Sequence, residues 1–223
     1  MAAAANLSLM FADLARACEK STGVKMTPSF GATAQLEQQI ENGGPFDLFL
    51  AADAQHVDAL ASKGLIAADS RAIYARGKLV IWAPRRPDIQ RIEDLGRADV
   101  KAIAVAKPEL APYGQASIEA LTAVRLWPAI ERKIVYAQNI QAVKQFADSS
   151  NVDAAFTALG LVKSLGGHYV EIGETLHQPI DQAMCIVKTT QRPEQARRAE
   201  SFLLGPEGRA IFERFGFGGI AAQ

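Results

Sequence analysis

The 223-residue chain has little of what builds covalent or metal frameworks. Its two cysteines, Cys18 and Cys185, are too few for a disulfide scaffold and stand at no metal-like spacing. Its three histidines, His56, His168 and His177, are scattered, which argues against a histidine-based zinc site. Charge of one sign is also missing: 24 Lys and Arg face 24 Asp and Glu. A nucleic-acid binder needs a basic excess to release phosphate counterions, and the same balance argues against drawing in any anion by bulk positive charge. No apolar run approaches the roughly 18–20 residues of a membrane span; the longest pieces, such as Leu48–Ala52, are strand-sized. A hydrophobic fraction of 49% with 17 Gly and 10 Pro argues against disordered, collagenous and low-complexity chains. What remains is a folded protein long enough for one large domain or two lobes of about 110 residues each.

Strand-like and helix-like segments alternate along nearly the whole chain. Ala2–Ala5 reads as the end of a strand, followed by Val24–Phe30, Asp47–Ala51, Leu79–Ala83, Ala102–Ala106, Ile134–Ala137, Val152–Phe156 and Ala183–Val187. Between them run apolar stripes at helical spacing: Leu9, Phe11, Leu14, Ala15 and Cys18 with Gly23 as the stop, then Leu36–Ile40, Val57–Ala61, Ile118–Leu121 and Val143–Ala147. Two helices close the chain, Pro193–Leu204 and Pro206–Phe215, the second opened by Pro and ended by Gly216. This is an α/β pattern, with mainly parallel sheets flanked by helices. No linker rich in Ser, Pro and Gly separates two tandem domains, so two lobes must share chain crossings. Arg76–Pro84 is one candidate crossing, and the stretch from about Pro179 through 183–187 is the other. They assign 1–78 plus 180–223 to lobe I and 79–179 to lobe II, with hinges near 77–83 and 179–183 and a ligand cleft between the lobes.

In such sheets, ligands lie beyond the carboxyl ends of strands, where helix starts aim their unused N–H groups. Four segments join a strand end to a helix start: Ala4–Ser8, Ser29–Thr33, Ala111–Gln115 and Ala137–Ile140. Asn6 and Thr33 add side-chain donors, and none of the four contains Lys or Arg. Plain helix capping is the competing account of each Asn, Ser or Thr there. Lys107, beside Pro108, is the nearest basic residue and is read as solvated, as most lysines are. Asp53 is read as an N-cap, His56 as solvent-facing, and Trp82 and Trp127 as packing residues. Cys18 and Cys185 are read as buried thiols whose pairing stays open, since both fall in lobe I.

At these loops the chain resembles the molybdate-binding proteins of bacterial ABC importers, which have the two-lobed periplasmic-binding-protein type II fold. The likeness is carried by Ala3–Asn6, Ser29–Thr33, Gln39–Asp53, Tyr74–Trp82, Ala111–Gly114, Asn139–Ile140, Gly205–Gly208 and Phe215–Phe217, in order over almost the whole chain. The resemblance implies a tetrahedral oxyanion, molybdate or tungstate, held between the lobes and handed to a membrane permease. It implies contacts from the Asn6 side chain and the neighbouring Ala5 N–H, from Thr33 hydroxyl and N–H beside Ala32, and from the Tyr113 and Ile140 N–H groups. One branch of the family uses Ser in the first loop and a late tyrosine phenol; here Asn6 replaces the former and Thr157 stands at the place of the latter. The branch with Asn and a Pro-Tyr-Gly loop is the nearer one, and it often carries a hydroxyl residue where this chain has Ala5. The choice among molybdate, tungstate and other oxyanions stays open on these residues. The resemblance further implies no cofactor, no direct protein ligand to the metal atom, a monomer, and a periplasmic or lipid-anchored extracytoplasmic location. Met1 stands directly on the first strand without the basic and apolar regions of a signal peptide, so an export signal replaced by a start codon is expected.

An enzyme is the main alternative class, yet G-x-S-x-G, P-loop, H-E-x-x-H and complete G-x-G-x-x-G motifs are all missing. Gly216-Phe217-Gly218-Gly219 follows a helix, the wrong context for a nucleotide loop. An effector-sensing domain of a transcription regulator shares the two-lobed architecture but needs a helix-turn-helix ahead of the first strand. A binding protein for sulfate, phosphate or a small organic anion is the alternative that the sequence separates least.

Overall fold

The computed structural model describes residues 1–219; the last four residues of the segment assigned to lobe I, 220–223, lie outside the described residues. In chain order the elements are β1 (Ala2–Ala4), α1 (Phe11–Thr22), β2 (Ser29–Gly31), α2 (Thr33–Glu41), β3 (Leu48–Leu50), α3 (Gln55–Ser62) and β4 (Ala72–Gly77). There follow β5 (Leu79–Trp82), β6 (Ile103–Ala106), α4 (Pro112–Ala123), α5 (Trp127–Ile130), β7 (Ile134–Ala137), α6 (Ile140–Asp148), β8 (Ala154–Ala158) and β9 (Tyr169–Glu171). The chain returns through β10 (Ile180–Ile186) to α7 (Pro193–Leu204) and α8 (Pro206–Arg214). Contacts divide it into a first unit, Met1–Gly77 with the chain from Asp181 onward, and a second, Lys78–Ile180.

The first unit is built on a sheet of order β2-β1-β3-β10-β4. β1 runs parallel to β2 and β3, while β10 returns antiparallel to β3. Alternate residues of these short strands serve opposite faces. Ala3, Leu48, Leu50, Met184 and Ile186 pack with Leu14, Phe202 and Phe212. Their neighbours Ala2, Phe49, Ala183, Cys185 and Val187 pack with Leu36, Ile40, Val57 and Leu60. Both faces are thus covered by helices, which is why the strands read as unbroken apolar runs. α1 ends where Gly23 takes φ 72° and donates its N–H to Glu19 O, the left-handed stop its sequence predicts.

The second unit carries a sheet of order β7-β6-β8-β5-β9, with β6 parallel to β7 and β8, and β5 antiparallel to β8 and β9. Several local expectations change. The extended run Arg76–Pro84 breaks at Lys78 into β4 and β5, one strand for each unit. Val24–Phe30 contributes only its end, because Pro28 has no N–H to give a ladder. The short strand β9 follows Gly166 and Gly167, both at positive φ, and has no periodic signal of its own. The helix read from Asp53 begins at Gln55, with Asp53 Oδ1 accepting the His56 N–H at 3.1 Å in the manner of an N-cap.

Candidate functional site

In the first unit the parallel register places the ends of β1, β2 and β3 side by side: Ala4 pairs with Gly31, and Ala3 with Leu50. The residues that follow those ends are therefore brought together. Ala5–Leu7 form a single 3-10 turn, and Asn6 within it is fully buried. Ala32 precedes α2 in an extended conformation and Thr33 opens it, 3% and 1% exposed. Thr33 Oγ1 accepts the Ala52 N–H at 3.2 Å, so the hydroxyl proton is the part of that group left to donate. Asn6 Nδ2 donates to Gln182 Oε1 at 3.0 Å, while Asn6 Oδ1 is buried without a partner. Neither Asn6 nor Thr33 caps a helix, since the N-cap positions there are Ala4 and Ala32 without side-chain bonds. Capping therefore does not account for their burial.

The second unit repeats the design. Ala106 pairs with Ala137, so β6 and β7 end together, and α4 and α6 start just beyond them. The Lys107 N–H bonds to Ala137 O at 2.9 Å and ties the two ends. Pro112 brings no N–H to α4, and Gly114 and Gln115 N–H both turn to Ala111 O. Gly114 is required there by close approach, because a Cβ would lie 2.2 Å from Ala106 O. Tyr113, between them, is 1% exposed. At α6 the capping account does hold: Asn139 Oδ1 accepts the Ala142 N–H at 3.0 Å, with Ile140 the first helical residue behind it. On β8, which runs beside β6, Thr157 is fully buried and its Oγ1 has no partner.

The electrostatics rest on dipoles. Helix starts carry a partial positive charge, and the four loops contain no basic side chain. Lys107 is partly buried, and no carboxylate among the described residues lies within ion-pair distance of it. His56 departs from the solvent-facing expectation: its side chain is 20% exposed, with Nδ1 2.8 Å from Asp53 Oδ2 and Nε2 3.7 Å from Glu37 Oε2. Burial pulls the His56 pKa down, but the Asp53 hydrogen bond and charge, with Glu37, outweigh it and leave it raised. Among the described residues no cluster of His, Cys, Asp and Glu is arranged to hold a metal ion. No helix among them is long and apolar enough to cross a membrane. Sequence reasoning missed Gln182 and Tyr74, which stand behind Asn6. The available signal was a polar residue directly before the apolar run 183–187, since a glutamine in a fully buried strand needs partners.

Neutral donors at strand ends and helix starts define a binding protein for a polar or anionic solute. The family model described as bacterial extracellular solute-binding protein matches residues 1–218, and the chain belongs to that family. It is 34% identical to the molybdate-binding protein ModA of Azotobacter vinelandii, over 98% of this chain and 88% of the relative. Identity to ModA of Rhodobacter capsulatus is 31%, over 97% and 86%. The solved periplasmic molybdate-binding protein of Azotobacter vinelandii superimposes with a TM-score of 0.93 at 28% identity, covering 100% of this chain and 98% of that one.

Proposed function

We propose that this protein is the solute-binding component of an ABC importer, capturing molybdate, and tungstate by the same contacts, for delivery to a membrane permease. The observation that carries the reading is the pair of donor sets at the strand ends: Ala5, Asn6, Ala32 and Thr33 in one unit, Tyr113 and Ile140 in the other. Both sets serve one anion in this proposal, and the chain crossings near Gly77–Lys78 and Ile180–Asp181 act as hinges. The relatives named for molybdate binding support it. Several charge-assisted hydrogen bonds of about 1.5–3 kcal/mol each hold a dianion without the deep Coulomb well that a Lys or Arg would make. Selectivity then follows from size and protonation. Donors set for a large tetrahedral ion are left partly unmet by smaller sulfate, at about 1–3 kcal/mol per buried donor. Hydrogen phosphate brings a proton, whereas the contacts proposed here, N–H groups and the Thr33 hydroxyl, act as donors to the anion. The protein acts without catalysis or cofactor, as an extracytoplasmic monomer.

A site for sulfate, phosphate or a small organic anion is the alternative. Competition titration of ligand-stripped protein with molybdate, tungstate, sulfate and phosphate separates the two. Molybdate and tungstate should bind at least a hundredfold tighter, about 2.7 kcal/mol, than sulfate and phosphate. Equal or reversed preference refutes the assignment.

A further inference from the structure

The buried Asn6 amide is tied to Gln182, which Tyr74 holds in turn, and both lie outside the proposed ligand contacts. Its Nδ2 donates to Gln182 Oε1 at 3.0 Å, and the Tyr74 hydroxyl lies 2.8 Å from the same oxygen and 2.9 Å from Ala51 O. Asn6 and Gln182 are fully inaccessible, and Tyr74 is 2% exposed. Gln182 Oε1 accepts the Asn6 N–H and shares the single Tyr74 hydroxyl proton with Ala51 O, which leaves the nitrogen end of the Asn6 amide facing β10. Asn6 Oδ1 has no partner of its own. The bond to Gln182 is therefore what sets the rotation of the amide.

We propose that Gln182 is a positioning residue for anion capture: it orients the Asn6 amide and thereby the N–H that the side chain has left for a ligand. Tyr74 holds Gln182 in turn. Both stand beside the chain crossings, Tyr74 on β4 three residues before Gly77 and Gln182 on β10 two residues after Ile180. The neighbouring Arg76 and Asp181 form a two-pronged ion pair at 2.6 and 3.0 Å. Asn6 is thus fastened to both strands that lead to the second unit. The inference rests on Asn6 meeting the anion, as the functional reading holds.

A double-mutant cycle on the ligand-stripped protein tests it, with molybdate titrated calorimetrically into the wild type, Asn6→Ala, Gln182→Met and the double variant, and thermal unfolding recorded for each. Gln182→Met should weaken binding about tenfold in the wild type and no more than about twofold where Asn6 is already Ala, because coupled residues are not additive. Equal losses in both backgrounds overturn the proposal. Wild-type affinity in Asn6→Ala overturns it too, by removing Asn6 from the site. A wild type that binds none of the oxyanions refutes the functional reading instead, before any variant is compared. Tyr74→Phe covers the case in which Gln182→Met does not fold, since it removes only the hydroxyl that holds Gln182. It should weaken molybdate binding about fivefold in the wild type and no more than about twofold where Asn6 is already Ala. Wild-type affinity, or equal losses in both backgrounds, overturns the proposal.

Discussion

Thr33→Val is the sharpest single perturbation of the proposed contacts, because it removes one hydroxyl and keeps the shape of a side chain that is 1% exposed. Two losses follow from the geometry. The anion loses a donor; a charge-assisted hydrogen bond of about 1.5–3 kcal/mol corresponds to a rise in Kd of about 13- to 150-fold. Separately, the Ala52 N–H, 3.2 Å from Thr33 Oγ1, loses its acceptor. A buried unmet donor costs about 1–3 kcal/mol of stability, several degrees of Tm for a chain of this size at about 2–4 °C per kcal/mol. Thr33→Ser keeps both bonds and should stay close to wild type in both measurements. Calorimetric titration with molybdate reads the first loss, and thermal unfolding without ligand reads the second. If Thr33→Val melts early yet binds molybdate within about twofold of wild type, the hydroxyl serves Ala52 alone and the reasoning that aims it at the anion is wrong. Asn6→Ala should lose at least about tenfold in the same titration.

Gly114→Ala would set a Cβ 2.2 Å from Ala106 O; it should cost about 1–3 kcal/mol of stability and weaken molybdate binding by shifting the start of α4. Gly173→Ala, where the nearest atom is Thr175 Oγ1 at 3.9 Å, should change neither, and similar behaviour of the two variants in melting and titration would refute the packing argument. His56 has a raised pKa in the folded protein, so its contribution to stability is complete below the unfolded value of about 6.5 and is lost as pH rises through the folded one. Melting curves between about pH 6 and pH 8.5 should therefore fall with pH more steeply for wild type than for His56→Gln; parallel curves would count against the Asp53 and Glu37 contacts. Burial first, and the Glu200 charge second, push the Cys185 thiol up to about 12, and burial raises Cys18 as well. Both should resist a thiol reagent until denaturant is added, and early labelling of either would contradict their placement.

Much of this molecule was legible in the residue pattern, for local reasons. Gly23, Pro193 and Pro206 stop and start helices through their own backbone constraints, and the runs at 48–50 and 103–106 are apolar enough to be strands covered on both faces, whereas 134–137 forms an edge strand whose Val135 and Tyr136 stay exposed. Four loops without a basic residue are what the proposed site of dipoles was read from. Other features depend on residues far apart in sequence. Lys78 divides one extended run between two sheets because its two sides find different partners, Ala158 for Leu79 and Gly218 for Arg76. His56 looked solvated beside Gln55, yet Glu37, from a different helix, covers it. Cys18 and Cys185 share a unit but pack in separate clusters. Asn6 is 176 residues from Gln182, and whether such an amide caps a helix or faces a ligand is decided by which strand lies beside it. Periodicity and propensity act over a few residues and so determined the elements and their order. Strand pairing and the partners of buried polar groups are long-range facts, set only when the sheet assembles.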